Sequence, residues 1–133
     1  MESFARCIPW YLKPRLAHMK NVTVMDSTLD HEICVTDIMG HTVFATHGHR
    51  DNVNNVVSNL ALMLKQFPDY VFMAHYHHHV EEEFHGCDVV VNPSLVGAEE
   101  HSKGIRKTSK PAQKLLIFTE EGRECTYVIR VDK

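Results

Sequence analysis

The sequence predicts an α/β fold, a mixed β-sheet with flanking helices, in a single domain. Three observations carry that expectation. The segment from Val53 to Phe67 repeats apolar residues at helical spacing. Short apolar runs closed by turn residues lie on both sides of it. The resulting order, strands on both sides of one clear helix, calls for a mixed sheet with a helix against one face.

The elements follow in chain order. Phe4 to Met19 holds spaced apolar residues broken by Pro9 and Pro14, which predicts one or two short helices. Val22 to Met25 has the composition of a short strand. Glu32 to Ile38 and Thr42 to Thr46 form a hairpin around Met39-Gly40. Val53, Val56, Val57, Leu60, Ala61, Leu64 and Phe67 then line one helix face, with Asp51 or Asn52 placed to cap it and Pro68-Asp69 to end it. Tyr70 to Ala74 is a short apolar strand. Glu82 to Phe84 and Cys87 to Val91 pair across His85-Gly86. Asn92 to Lys110 is polar and reads as a long loop. Lys114 to Thr119 and Glu124 to Val131 form a last hairpin across Glu121-Gly122.

Composition narrows the function classes. A chain of 133 residues is the size of one domain and can bury a sizeable core. Its net charge of −3 gives no global basic field for a polyanion, so any nucleic acid would be gripped locally. No apolar run has the length of a membrane span, which predicts no membrane partner. Trp10, Lys13, Pro14 and Arg15 interrupt any signal-peptide core. Cys7, Cys34, Cys87 and Cys125 are widely spaced and form no CxxC pair, so free thiols and a cytoplasmic location are expected.

Histidine is the anomaly, with 11 copies. His47 and His49 follow the strand Thr42 to Thr46, and His75 and His77 follow the strand Tyr70 to Ala74. A strand–helix–strand passage favours neighbouring parallel strands, whose carboxyl ends share one edge, where α/β sheets collect ligands. Asn92-Pro93-Ser94 closes a further strand on the same edge. Neutral imidazole is a ligand for Mn, Fe, Ni and Zn ions alike. In HxH, extended-strand alternation would put both rings on one side. His47, His75 and His77 are therefore the candidate ligands of a divalent metal. His78 and His79 continue the turn, and His18, His31, His41 and His101 read as surface residues. Glu81 to Glu83 read as a solvated strand start.

THGH at Thr46 to His49 and AHYH at Ala74 to His77 resemble the last two metal motifs of the calcineurin-like metallophosphoesterases, and NPSLVG at Asn92 to Gly97 resembles the NPGS segment that follows them, in the same order and spacing. The tail GAEEHSKGIRKTSKPAQKLLIFTEEG resembles a phage-type branch related to DNA-repair exonucleases. The resemblance runs from about Phe4 to the C-terminus. It implies that His47 and His75 hold one metal, that His77 reaches the other, and that His49 lies beside the substrate as the candidate catalytic residue. It also implies hydrolysis of phosphate esters, nucleic-acid phosphodiesters among them. Lys103, Arg106, Lys107 and Lys110 make the long loop basic, and they are candidates for phosphate contact.

The departures shape the expectation. The family's DxH, GD and GNH[DE] motifs do not occur in this sequence, so the resemblance is to the C-terminal half of the family's α/β/β/α sandwich. Three histidines without the bridging carboxylate fit one ion at most. The sheet face that a partner sheet would cover calls for a second copy of the chain or a separately encoded N-terminal half. Two functions are then in competition. One is a metal-dependent phosphoesterase, or the C-terminal portion of one, inactive alone. The other is a non-catalytic remnant that binds a metal or a partner.

Overall fold

The structure, a computed structural model, describes residues 7–25, 30–96 and 110–131. One predicted strand, Val22 to Met25, is absent, and the other described elements hold with shifts of boundary.

Helix α1 spans Cys7–Leu16, with Pro14 inside it, and buries none of its residues. Val22 to Met25 is not a strand. β-favouring residues form a ladder only where a strand edge receives them, and none among the described residues does. Strands β1 (Ile33–Ile38) and β2 (His41–Thr46) form the expected hairpin. Met39 and Gly40 both have positive φ, 56° and 89°, the requirement of a two-residue turn that matches strand twist. Asp37 accepts the Gly40 N–H through Oδ1 at 2.9 Å and fixes that turn.

Helix α2 is Val56–Leu64, shorter than its apolar stripe at both ends. At the start, Asn52 Oδ1 accepts the Asn54 N–H at 3.0 Å, and Asn55 Oδ1 accepts the Asn52 N–H at 2.9 Å. These bonds hold a turn where the first helical residues were expected. Asn55, not Asp51 or Asn52, precedes the helix, and its side chain makes no capping bond to it. At the far end Lys65 takes a left-handed conformation, φ 52°, which stops the helix ahead of Pro68.

Strands β3 (Tyr70–Met73), β4 (Val80–Phe84) and β5 (Cys87–Val91) complete a five-stranded sheet ordered β1-β2-β3-β5-β4. The β2/β3 and β3/β5 pairs are parallel, and the two outer pairs are antiparallel. Side chains alternate across the sheet. Phe44, Val71, Met73, Cys87, Val89 and Val91 point to one face and join Val56, Val57 and Leu60 of α2 in a single buried cluster. Each fully buried Val or Phe there contributes about 1.5–3 kcal/mol.

The last hairpin, β6 (Ala112–Thr119) and β7 (Gly122–Arg130), stands apart from the sheet ladder and pairs only with itself. Its turn is Glu120-Glu121, one residue earlier than expected. It lies on the sheet face opposite α2. Phe118 meets the edge of Tyr70 with ring centres 4.9 Å apart, and Tyr70 accepts the Arg123 N–H at 2.9 Å. Glu81 to Glu83 are exposed as expected, but Glu81 is also an ion-pair partner. It accepts Lys114 Nζ at 2.9 Å and Arg123 Nη1 at 2.6 Å, while Arg123 Nη2 reaches Asp88 at 2.8 Å.

That cluster joins two chain regions by paired charge. Burial works against the Glu81 charge, but hydrogen bonds from Arg123 and Lys114 outweigh it and hold the carboxyl below its usual range. Burial pushes the Lys114 ammonium down, and Glu81 offsets part of that. His41, read from sequence as a surface residue, is a second clamp: its Nε2 lies 3.2 Å from the Glu120 carbonyl, and its ring meets the edge of Tyr70.

Candidate metal centre

The carboxyl ends of β2, β3 and β5 share one edge because all three run parallel. The Ala74 N–H donates to the His47 carbonyl at 3.3 Å and the Asn92 N–H to the Met73 carbonyl at 2.7 Å, so the pairing continues into the loops. His47 leaves β2 and His75 leaves β3 at adjacent positions on that edge.

Gly48 lets the two segments approach. It is buried, its φ is 90°, and a Cβ there would stand 2.8 Å from the Met73 Cε. The histidines flanking it, His47 and His49, are exposed. On the β3 side, the Tyr76 N–H donates to the Ala74 carbonyl at 2.6 Å, closing a three-residue turn on His75 with φ 61°. Histidine is among the residues enriched at such positive φ. The Tyr76 hydroxyl donates to the Asp51 carbonyl and ties this turn to the segment leading into α2.

The outcome is a histidine cluster. His75 Nδ1 and His47 Nε2 are 3.3 Å apart, one donating and the other accepting. Ring centres of His47 and His75 lie 5.1 Å apart, of His47 and His49 5.6 Å, and of His49 and His75 6.3 Å. The structure thus brings His47, His75 and His49 together. It does not bring His77 into ring contact with them among the described residues. His75 and His77 both have positive φ, 61° and 58°, so the segment is not extended and strand alternation does not apply. As the side chains stand, no three His, Cys, Asp or Glu residues among those described close on a common point.

Sequence reasoning missed the acidic neighbour. Glu32, in the turn just before β1, lies with its Oε2 3.8 Å from His49 Nε2 and 3.3 Å from Arg50 Nε. It shares a cleft of about 200 Å³ with Asp30, His49, Arg50, Asp51 and Asn59. Nothing in the local sequence signals this approach, because Glu32 and His49 meet only through the β1–β2 pairing. Of the basic loop, Lys110 is exposed, while Lys103, Arg106 and Lys107 lie outside the described residues, as does Gly97 of the NPSLVG segment. Asn92 of that segment is structural here, accepting the Lys114 N–H at 2.9 Å and donating to Gln113 at 3.0 Å.

Exposed imidazoles at this spacing can ligate a divalent transition metal. The pair His47 and His75 fits such an ion, since two nitrogens on different strands already face one another.

Comparison with known proteins places the architecture. The chain matches no family model. It is 27% identical over 128 residues to the SPbeta prophage-derived uncharacterized protein YonJ of Bacillus subtilis, covering 92% of this chain and 31% of that one. The chain therefore spans about a third of that relative's length. Among solved structures it is similar to Vps29 of Entamoeba histolytica complexed with Zn²⁺ (TM-score 0.59, 17% identity, 84% of this chain and 66% of that one). It is also similar to a novel archaeal phosphodiesterase (TM-score 0.58, 20% identity, 96% and 63%). Both have the calcineurin-like metallophosphoesterase fold, and the mixed α/β architecture described above is of that kind. No helix of the described residues is long and apolar enough to cross a membrane.

Proposed function

We propose that the chain is the C-terminal, histidine-bearing portion of a metal-dependent phosphoesterase of a phage-type branch. Its substrate class is phosphate mono- or diesters, with nucleic-acid phosphodiesters included. The observation that carries this reading is the 3.3 Å approach of His75 Nδ1 to His47 Nε2 across two parallel strands.

His47 and His75 would hold one divalent ion (Mn, Fe, Ni or Zn), and His77 would reach a second ion once the remaining motifs are supplied. A bound ion supplies Lewis acidity toward a phosphoryl oxygen and lowers the pKa of a water molecule. His49 stands beside the pair, exposed, where it can donate a hydrogen bond to a substrate oxygen or accept its proton. Arg50, also exposed, adds a cation for phosphate next to it. Lys110 and the basic residues near it in sequence would extend that grip along a nucleic-acid backbone.

The reading includes a partner and a cytoplasmic setting. The outward face of the β6–β7 hairpin exposes Leu115, Ile117, Tyr127 and Ile129 side by side. A second copy, or a separately encoded N-terminal half carrying DxH, GD and GNH[DE], would cover it. The test is complementation. A segment bearing those three motifs is added in trans with Mn²⁺, and hydrolysis of bis(p-nitrophenyl) phosphate is followed. Activity above that of either piece, lost in His75→Ala, is expected. No gain over this chain alone overturns the catalytic reading and favours a non-catalytic metal- or partner-binding remnant.

A further inference from the structure

We propose that His49 supplies the third imidazole of a mononuclear site, so that this chain by itself holds one divalent transition-metal ion through His47, His49 and His75, with His77 outside it. The proposal rests on the metal-binding part of the function above and adds the ligand that closes the first site in this chain.

Ideal coordination gives the yardstick. Two imidazole nitrogens about 2.1 Å from one ion at a tetrahedral angle lie about 3.4 Å apart, with ring centres about 5.2 Å apart. His47 and His75 show 3.3 Å and 5.1 Å. That pair already has the spacing of two ligands on one ion. The His49 ring, at 5.6 Å and 6.3 Å from the other two centres, is wider than the yardstick by about 0.4 Å and about 1.1 Å.

His49 can close that gap. Its side chain is 40% exposed, and its 3.8 Å approach to Glu32 is longer than a hydrogen bond, so little holds the ring in place. Its Nε2 faces Glu32, which leaves Nδ1 as the donor to an ion. A ligating histidine whose other nitrogen meets a carboxylate is a recurrent metal-site arrangement, because the carboxylate fixes the tautomer and raises ligand basicity. Glu32 would serve that role, with Arg50 sharing its charge. His77 lacks these features. The left-handed residues at His75 and His77 turn the chain between them, and no ring contact joins His77 to the three. Three neutral imidazoles select borderline transition metals over Mg²⁺ or Ca²⁺.

The test titrates the full chain with Co²⁺, reading visible absorption and calorimetric stoichiometry, alongside the His47→Gln, His49→Gln and His77→Gln variants. Circular dichroism checks that each is folded. One ion per chain is expected. His47→Gln and His49→Gln should weaken it at least as much as the ~10–100-fold cost of losing an outer-shell partner. His77→Gln should leave it unchanged. Loss of affinity in His77→Gln equal to or greater than that in His49→Gln overturns the proposal, and the pair of carboxyl-end strands still stands as a metal site. No binding by the parent chain overturns both. Binding through His49 without hydrolysis in the complementation assay supports the ligand set and removes only the phosphoesterase reading.

Discussion

Gly48 is the residue on which the histidine cluster turns. Any other residue at φ 90° bears the strain of a left-handed backbone, about 1–2 kcal/mol, and its Cβ would also displace the tip of Met73. Gly48→Ala should therefore lower the unfolding free energy in urea by that amount while separating His47 from His75, and Co²⁺ affinity should fall with it. Wild-type stability in Gly48→Ala would refute this. Cys87 makes a second residue-scale case. Burial, with Asp88 and Asp69 nearby, pushes its thiol up to about 12. Native protein should then alkylate at the exposed Cys7 and Cys34 and spare Cys87, with mass spectrometry counting the sites. The sign for stability follows: the folded thiol holds its proton where the unfolded thiol has lost it. Its contribution is full below about pH 9 and falls as pH rises toward 12.

At the scale of elements, the β6–β7 hairpin is fastened to the sheet by Lys114, Arg123, Glu81 and Asp88. Removing Arg123 leaves Glu81 and Asp88 short of a donor, so Arg123→Ala should cost about 2 kcal/mol in chemical denaturation. Glu81, held below its ordinary 4.5, stabilises the fold above that value, and its contribution is lost as pH falls through the depressed folded value. Acid titration of the urea midpoint should show that fall, and Glu81→Gln should flatten it. The β2–α2–β3 unit was legible in sequence because its apolar runs end in turn residues and its crossover length demands parallel neighbours. That also made the approach of His47 to His75 legible. Other features were not. The ends of α2 depend on the Asn52–Asn55 turn and on a left-handed Lys65, which side-chain periodicity does not encode. Val22 and Val24 favour strands, but pairing needs an edge, which is a tertiary fact. Strand alternation failed at HxH because both histidines take positive φ. Glu32 and His41 acquire their partners only when distant segments meet.

For the whole molecule, apolar surface remains on the outward hairpin face, where Tyr127 is 57% exposed beside Leu115 and Ile129. A face of this kind marks an interaction surface. Sedimentation should show the parent chain larger than a monomer, and a Leu115→Ser, Tyr127→Ser variant should sediment as one chain. A parent that stays monomeric at high concentration removes the self-association branch and leaves the separately encoded half. The crossover that creates the cluster also sets when it appears. His47 and His75 are 28 positions apart and meet only after α2 has carried the chain across to β3. Hairpins close locally within about 1–10 μs, whereas parallel strands wait on the entropy of a longer closure. A folding intermediate with its three hairpins formed would own every histidine and still lack the His47–His75 approach, so under the metal-site proposal above metal capture during refolding times the crossover step.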